Sequence, residues 1–295
     1  MTETIFAADA PILTLKSSEF RQISQLAYKR FGLDLKQGKE ALVAARLGKR
    51  LRERGFKSFA DYYSHILSDA SGETLIELID SLTTNHTSFL RERAHFEFLT
   101  QTVAGEFREA AMLDIWSAAC SSGEEPYSIA MSLLSASAAG GPSAARSQRF
   151  RILATDISTR VLAIGKRGVY PEERFRELPE NWRRAFLLRG EGQSNGLFKI
   201  KPEIANLVEF ERFNLIEPFS HGRPMHAIFC RNVMMYFDKP TQQDIVQRLG
   251  ACLAPGGYLF VGHSESLTGV EHDLKYVRPA VYRREKTSGG SRAWS

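Results

Sequence analysis

Two acidic residues, Glu124 and Glu125, follow a run of small residues that reads SAACSSG over positions 117–123. Small side chains let a ligand approach the backbone closely, and carboxylates attract a cation such as an amino group or a sulfonium. The chain lacks both G-x-G-x-x-G and G-x-x-x-x-G-K-[ST] at this point, which argues against a phosphate site. An alternative is that the two glutamates only favour the positive N-terminus of a helix.

Three more polar positions each follow a short apolar run. Asp156 follows FRILAT, and its carboxylate is placed to accept both ribose hydroxyls of an adenosine, although a helix cap is the alternative. Asn214 and Leu215 follow VEFERF, and an amide beside an apolar side chain suits adenine. Arg231 and Asn232 follow HAIFC, where the reactive end of the ligand would lie; a buried structural arginine is the alternative. A cationic adenosine compound such as S-adenosylmethionine fits this set.

The elements that must position these residues begin near residue 110. Short apolar runs alternate with helical stretches from there on, which predicts βαβ units and a mainly parallel sheet. Ligands bind outside the carboxyl ends of such strands. Residues 169–206 interrupt the alternation, and LLRGEGQSNGLFKI predicts an inserted hairpin. Pro255-Gly256-Gly257 predicts a turn before a strand over 258–261.

The first part of the chain is predicted to be helical, because Val43, Leu47 and Leu51 recur every four residues. We therefore expect a helical domain over 15–85 after a flexible N-terminus at 1–14. A linker over the ligand site at 86–109 then leads into the main domain at 110–284. The small residues of 136–147 predict a surface loop, and 285–295 a disordered tail.

Charge is unevenly distributed. The formal net charge is +5, and six basic residues against Glu53 alone lie between positions 46 and 57. Arg46, Arg50 and Arg54 share one helix face in this stretch, which suits nucleic acid, anionic lipid or an acidic protein surface. A merely solvated charged face is the alternative.

Other features bear on the cellular compartment and on metals. No run of about eighteen apolar residues exists, and the first residues do not read as a secretory signal. Cys120, Cys230 and Cys252 lack paired spacing, so we expect neither disulfides nor a zinc site but a reducing, cytoplasmic location. His86 and His95 are expected to be packing or surface residues. His263, which follows a strand, is expected to have a structural role near the site.

Six segments, in order, resemble those of CheR-type chemotaxis receptor methyltransferases. They are LTTNHTSFLRERAHF (82–96), WSAACSSGEEPYSIA (116–130), ATDIS (154–158), FNL (213–215), IFCRNVMMYFD (228–238) and GHSESL (262–267). The resemblance implies an α/β fold: a Rossmann-like class I S-adenosylmethionine methyltransferase domain with a small antiparallel β insert, preceded by a small all-helical domain. It also implies methyl transfer from S-adenosylmethionine to chemoreceptor glutamates, giving glutamyl methyl esters for chemotactic adaptation and S-adenosylhomocysteine as product.

The resemblance also implies roles for single residues. Arg91 and Tyr236 would lie at the reacting centre. Contacts with the cofactor are implied for Asn85, Thr87, Arg91, Glu125, Asp156, Asn214, Leu215, Arg231 and Asn232. The sequence departs from the family pattern at Leu90, where phenylalanine is usual, and at Cys120, where a smaller residue is common. No metal is implied.

Receptor contacts are implied at two places. The basic helix with Arg46, Arg50 and Arg54 would lie along the acidic coiled coil of a chemoreceptor. Arg189 in the β insert would hold the carboxylate of a receptor's C-terminal peptide added as a strand, although an ordinary hairpin turn is the alternative. We expect a monomer, without nucleic acid and without membrane insertion.

Three other classes of function were considered. A nucleic-acid methyltransferase agrees with the sequence pI of about 9.1, but Val233 and Met234 follow Asn232 where amino-directed enzymes usually have a Pro-Pro-aromatic motif. The missing G-x-G-x-x-G argues against a nicotinamide oxidoreductase. A non-catalytic scaffold of the same fold remains an alternative.

Overall fold

The computed structural model describes residues 13–138, 149–219 and 222–286. Predictions made for residues 1–12, for most of the loop at 136–147 and for 287–295 lie outside the described residues. The chain divides into two compact units, Met1–Thr84 and Asn85–Ser295. No helix in the described ranges is long and apolar enough to cross a membrane.

The N-terminal unit is helical. Its helices are α1 (Ser17–Phe31), α2 (Glu40–Glu53), α3 (Phe59–Ser68) and α4 (Glu73–Leu82). Val43, Leu47 and Leu51 of α2 are all buried, as their spacing predicts. They join a core whose fully buried members also include Ile23, Phe59, Tyr62 and Leu78.

Sequence signals fix where these helices begin and end. At the start of α1 the Lys16 backbone N–H donates to the Glu19 carboxylate (2.8 Å), which is one half of a capping box, because a lysine side chain cannot accept the second hydrogen bond. The same helix ends at Gly32, whose φ of 70° suits a residue without a side chain. The Ser58 hydroxyl caps α3 by accepting from the Asp61 N–H (3.0 Å).

The C-terminal unit begins with the 85–93 stretch and a helical run. This run comprises α5 (Ala94–Phe98), a π-helical turn (Leu99–Val103) and α6 (Ala104–Glu106). Strands and helices then alternate. They are β1 (Leu113–Ala118), α7 (Glu124–Ala138), β2 (Phe150–Asp156), α8 (Thr159–Arg167), β3 (Val169–Pro171), α9 (Glu180–Phe186), β4 (Leu187–Arg189), β5 (Leu197–Ile200), α10 (Pro202–Ala205), β6 (Val208–Arg212), β7 (Met225–Cys230), α11 (Lys239–Cys252), β8 (Leu253–Phe260), β9 (Leu274–Arg278) and β10 (Val281–Arg284).

In the described ranges, seven of these strands form one sheet in the order β6-β2-β1-β7-β8-β10-β9. The first five are parallel, and the β8–β10–β9 part is antiparallel. Strands β3, β5 and β4 form a separate antiparallel sheet. The predicted α/β alternation and the predicted antiparallel insert are therefore confirmed.

Alternate residues of the central strands face two different hydrophobic cores. Ile115 and Phe229 belong to one core, while their neighbours Trp116 and Ile228 belong to the other. A sheet covered on both faces explains why these strands read as continuous apolar runs rather than as alternating ones.

The prediction of a turn at Pro255-Gly256-Gly257 is wrong in its position. β8 already begins at Leu253, opposite Met225, and the next paired residues are Ala227 and Tyr258. The Pro-Gly-Gly sequence is therefore an irregularity inside the strand. Gly257 is needed there, because a Cβ on it would lie 2.9 Å from two backbone oxygens, those of Ala254 and Met225.

Candidate active site

Strand register places the loops after the parallel strands at one edge of the sheet. Ala118 at the end of β1 is the partner of Thr155 on one side and of Cys230 on the other. The residues that follow these three positions therefore emerge side by side. This edge is where the sequence predicted a cofactor.

The loop after β1 has a tightly folded backbone. Ala119, Ser121 and Gly123 have φ values of 67°, 50° and 96°. The carboxylate of Asp156 holds this loop, since its Oδ2 accepts from the Ser121 N–H (2.8 Å) and its Oδ1 from the Ser158 N–H (3.0 Å). Asp156 thus links the ends of β1 and β2, and it is 8% exposed.

Glu125 lies in the first turn of α7 with Glu124. One of its carboxylate oxygens accepts from the Ser117 hydroxyl (2.6 Å), and the other from Nη1 of Arg231 (3.0 Å). Burial raises the pKa of the Glu125 carboxyl, and the charge of Arg231 opposes this shift only in part. The sequence left open whether Arg231 contacts the cofactor or is a buried structural arginine. Its ion pair with Glu125 bears on that question.

Arg231 is shared between two carboxylates. Its Nε and Nη2 also donate to Oε2 of Glu92 (3.2 and 2.9 Å), and its side chain is 2% exposed. One buried cation between Glu92 and Glu125 leaves a net negative charge at this edge of the sheet. That balance favours a positively charged ligand over a phosphate.

The segment from Asn85 to Glu92 lies against this network and is held through its backbone. Its backbone contacts include four side chains. Ser121 Oγ donates to Asn85 O (3.1 Å), Arg174 Nη1 to Thr87 O (3.0 Å) and Arg231 Nη2 to Arg91 O (2.5 Å). Ser128 Oγ accepts from Leu90 N (2.9 Å). Leu90 and Glu92 have φ values of 55° and 58°, which cost free energy in residues with a side chain. Leu90, the departure from the family pattern, is 7% exposed and packs in the core.

Sequence reasoning missed Glu92. Its Oε1 accepts from the His263 N–H (3.1 Å) and from Nδ2 of Asn232 (3.4 Å), while Oε2 faces Arg231. Burial raises the pKa of the Glu92 carboxyl, but the charge and hydrogen bonds of Arg231 outweigh it, so the pKa lies below its ordinary value. The available signal was the alternative interpretation of Arg231 as a buried structural arginine, which requires a carboxylate partner.

Glu92, His95 and His263 have ligand atoms within 4.8 Å of one another, a spacing that suits a metal ion. However, both oxygens of Glu92 already accept hydrogen bonds, and the guanidinium of Arg231 would repel a cation there. The His95 ring is 2% exposed and packs edge-on against His263 (4.7 Å) and Phe260 (5.5 Å). The geometry favours the expected packing role of His95; His86 is exposed.

Arg91 differs from Arg231 in its partners. Its Nη1 donates to the backbone oxygen of His86 (3.0 Å), and no carboxylate in the described part of the chain pairs with it. Tyr236 lies in the 3-10 turn Met234–Tyr236 and is half-buried. Both residues belong to the C-terminal unit. The backbone oxygen of Arg91 accepts from Arg231, and Tyr236 lies four residues after Asn232, the neighbour of Arg231.

Asn214 and Leu215 lie in the loop after β6, at the same edge of the sheet. The Asn214 side chain is 7% exposed; its Nδ2 donates to Oε1 of Glu217 (3.2 Å), and its Oδ1 accepts from the Ile216 N–H (3.4 Å). Leu215 lines a small apolar cavity with Trp116 and Phe213.

The arginines predicted to contact the receptor make the following interactions within their own units. Arg46 donates to Leu82 O and, through Nη2, to Thr84 Oγ1 (2.8 Å). Arg50 and Arg54 both pair with Glu77. The Arg189 side chain is exposed in β4, and it makes no hydrogen bond or ion pair among the described residues.

A mainly parallel sheet with carboxylates after β1 and β2 and no phosphate-binding glycine motif is typical of a class I methyltransferase. Two family models match the chain: "CheR methyltransferase, all-alpha domain" over residues 18–83 and "CheR methyltransferase, SAM binding domain" over residues 85–282. The chain belongs to the CheR methyltransferase family, whose cofactor is S-adenosylmethionine and whose methylation serves chemotaxis. The predicted family, fold class and cofactor are confirmed.

Curated relatives agree over nearly the whole chain. "Chemotaxis protein methyltransferase 2" of Pseudomonas aeruginosa is 40% identical, covering 90% of this chain and 92% of that protein. "Chemotaxis protein methyltransferase" of Escherichia coli is 39% identical, covering 93% of each. Among solved structures, the N-methyltransferase NodS of Bradyrhizobium japonicum with S-adenosyl-L-homocysteine covers 58% of this chain and 60% of that chain, with 13% identity and a TM-score of 0.32.

Proposed function

We propose that this methyltransferase acts on glutamate side chains in the cytoplasmic region of chemoreceptors and forms glutamyl methyl esters. The observation that carries the proposal is the contrast between two arginines at the site. Arg231 is neutralised by Glu92 and Glu125, whereas no carboxylate of the described chain pairs with Arg91. An arginine with an unsatisfied fork is suited to hold an incoming carboxylate.

The donor set fits S-adenosylmethionine. Glu125 would hold the amino-acid end, because a cation there offsets the burial that raises its pKa. Asp156 would accept from the ribose, and Asn214 with Leu215 would bracket the adenine. Asn85, Thr87 and Asn232 are further proposed contacts. The small residues at 118–120 leave the backbone open to a close approach by the cofactor.

The cofactor supplies a methyl group on a sulfonium, which a carboxylate oxygen can take by direct displacement. A glutamate is ionised near neutral pH, so no general base is required of the protein. The protein's task is to hold the acceptor oxygen at about 3–3.5 Å from the methyl carbon and in line with the leaving sulfur. Arg91 would clamp one carboxylate oxygen, and Tyr236 would donate a hydrogen bond to the same group.

Substitution of Arg91 tests the proposal. Because the acceptor loses its charge during transfer, Arg91 contributes position rather than activation. We expect Arg91→Ala to keep the affinity for S-adenosylhomocysteine within about tenfold while losing most of the receptor methylation. Calorimetry measures the first quantity, and transfer of labelled methyl to a purified receptor cytoplasmic fragment measures the second.

Arg93→Ala is the matched control. Arg93 lies two residues on, is 63% exposed and pairs with Glu97 of α5 at the surface, so its loss should leave both quantities unchanged. Near-normal turnover in Arg91→Ala would remove Arg91 from the site. Labelled methyl transferred to RNA rather than to the receptor would reject the proposed substrate class.

We further propose that the β insert binds an extended receptor tail peptide. Strand β4 pairs with β5 on one side only, so its other edge is available for strand addition among the described strands. Leu188 and Arg189 are both exposed on it, and Arg189 would hold the terminal carboxylate. Unchanged peptide affinity in Arg189→Ala would argue against this contact.

A further inference from the structure

Glu265 lies in the loop after β8 and has no role in the mechanism described so far. Its carboxylate accepts three backbone hydrogen bonds. Oε2 accepts from the N–H groups of Asn232 (2.7 Å) and Gly262 (2.7 Å), and Oε1 accepts from the N–H of Met234 (2.8 Å). The donors belong to two different loops, one after β7 and one after β8. Glu265 therefore connects these loops through their main chain.

The two loops approach each other very closely at this point. A Cβ on Gly262 would lie 2.4 Å from Nδ2 of Asn232, 2.8 Å from Oε2 of Glu265 and 3.0 Å from the Asn232 backbone nitrogen, so a side chain there would displace these groups. Asn232 itself has a φ of 57°. Asparagine adopts this left-handed conformation more readily than most residues with a side chain. The Glu265 carboxylate, bonded to the Asn232 N–H, stabilises it here.

The constraint extends to Tyr236. Met234, the third donor, begins the 3-10 turn that ends at Tyr236. The Tyr236 N–H donates to Val233 O (3.1 Å), so the turn continues directly from the residue beside Asn232. A shift of the Met234 backbone would move the tyrosine with it.

We propose that Glu265 is a positioning residue for methyl transfer. It fixes the loop that carries Asn232 and Tyr236, and it does so through both carboxylate oxygens. This inference rests on the proposed function of Tyr236 at the reacting centre. A glutamine has the same shape, but its amide group places a donor where one backbone donor already points, so Glu265→Gln disrupts one side of the connection.

The experiment compares the wild type with Glu265→Gln and with Glu106→Gln. Glu106 is a matched control, because it accepts from the Tyr258 hydroxyl (3.0 Å) and pairs with Arg283. Tyr258 lies in β8, four residues before Gly262, a separation of roughly 13 Å if the chain is extended. Both variants alter a carboxylate that accepts hydrogen bonds in this part of the chain, but only Glu265→Gln does so at the site.

Three quantities are measured for each protein: amide hydrogen exchange over residues 231–237 and 262–266, affinity for S-adenosylhomocysteine, and steady-state methylation of the receptor fragment. We expect Glu265→Gln to exchange faster in both segments and to lower kcat at least about tenfold. Its KM for the receptor should stay within about threefold, and its cofactor affinity should fall less than its kcat, since Asn232 is one proposed cofactor contact among several and Glu125 and Asp156 are untouched. Glu106→Gln should keep the wild-type kcat.

Slow, wild-type exchange in Glu265→Gln would overturn the inference, because the three amide bonds would then not hold the loops. A wild-type kcat in that variant together with a lowered melting temperature would also overturn it, since the role would then be structural only. Failure of the proposed function is recognised separately. In that case the wild-type enzyme binds S-adenosylhomocysteine yet transfers no methyl to the receptor, while the exchange data still report on Glu265.

Discussion

At the scale of single residues, burial decides which groups near the site are charged. His95 is the clearest case: burial and the nearby charge of Arg231 lower its pKa to about 3, and Glu92 opposes this only partly. Neither ring nitrogen makes a hydrogen bond among the described residues. The Glu92 carboxylate, with Oε2 3.5 Å from Nδ1, favours a proton on the ring but does not outweigh burial. His95 is therefore a neutral packing residue at physiological pH, next to the ion pair between Glu92 and Arg231.

This neutrality predicts a pH-dependent stability. Between pH 6.5 and about 3 the unfolded chain protonates His95 while the folded chain does not, so the free energy of unfolding falls as the pH falls. The limiting slope from this group is about 1.4 kcal/mol per pH unit. We expect His95→Phe and His95→Leu to lack that part of the decline between pH 6.5 and 5. Urea unfolding at several pH values measures it.

The comparison between wild type and variant isolates His95 from other groups. Burial also lowers the pKa of His226, but that contribution is present in every protein compared and cancels in the difference. The pKa of Glu92 is lowered, so its contribution to the free energy of unfolding is lost only at more acidic pH, below the ordinary pKa of a glutamate. Parallel curves for wild type and both variants would show that His95 titrates normally in the folded protein.

At the scale of elements, close packing between a helix and a strand sets how α8 lies on the sheet. A Cβ on Gly165 would be 2.6 Å from Cε1 of Phe210 in β6, so the helix can approach this strand only with glycine there. Gly250 occupies the corresponding position in α11, two residues before the helix ends. Its Cβ would be 3.5 Å from Leu274, an ordinary contact.

Alanine substitutions at these two glycines are expected to change the free energy of unfolding differently. Gly165→Ala should lower the free energy of unfolding by roughly 1–3 kcal/mol, because the clash outweighs the better helix propensity of alanine. Gly250→Ala should leave stability unchanged or raise it by up to about 1 kcal/mol. Thermal and urea unfolding of both variants measure this pair. Equal effects at the two positions would contradict the close approach of α8 to Phe210.

Elements were predictable from the sequence where one local rule dominated. The four-residue spacing of Val43, Leu47 and Leu51 gave α2, and the apolar run ending at Asp156 gave β2. The start of β8 was not predictable, since Pro255-Gly256-Gly257 has the composition of a turn. Only pairing with β7 makes this sequence an irregularity inside a strand, and pairing is a long-range interaction that local composition does not encode.

At the scale of the whole molecule, motifs predicted the family and cofactor, but not how the site is held together. Glu92 and Glu265 were not singled out, because their roles depend on Arg231 and on backbone groups far along the chain. The ion pairs of Arg50 and Arg54 with Glu77 were equally invisible, since they join two helices of the N-terminal unit. These pairs also change which basic residues remain available to a partner.

The basic stretch at 46–57 is proposed to meet the acidic surface of the receptor, and its charges differ in availability. Arg50 and Arg54 are engaged by Glu77, whereas Arg52 and Lys57 are exposed and have no partner among the described residues. Reversing both of the latter, Arg52→Glu with Lys57→Glu, changes the charge without breaking an ion pair. We expect a lower kcat/KM for the receptor fragment and a flatter dependence of kcat/KM on salt, since electrostatic steering is lost.

Arg21→Glu with Lys29→Glu makes the same change in net charge on the exposed side of α1, in the same unit. If the basic stretch steers the receptor, this control keeps most of the wild-type salt slope, because attraction depends on where the charges lie and not only on their sum. Steady-state methylation at about 0.05, 0.15 and 0.5 M salt, which spans strong to weak screening, separates the two variants. Equal slopes for the wild type and the 52/57 variant would mean that the receptor docks elsewhere, and equal losses in both variants would mean that only net charge matters.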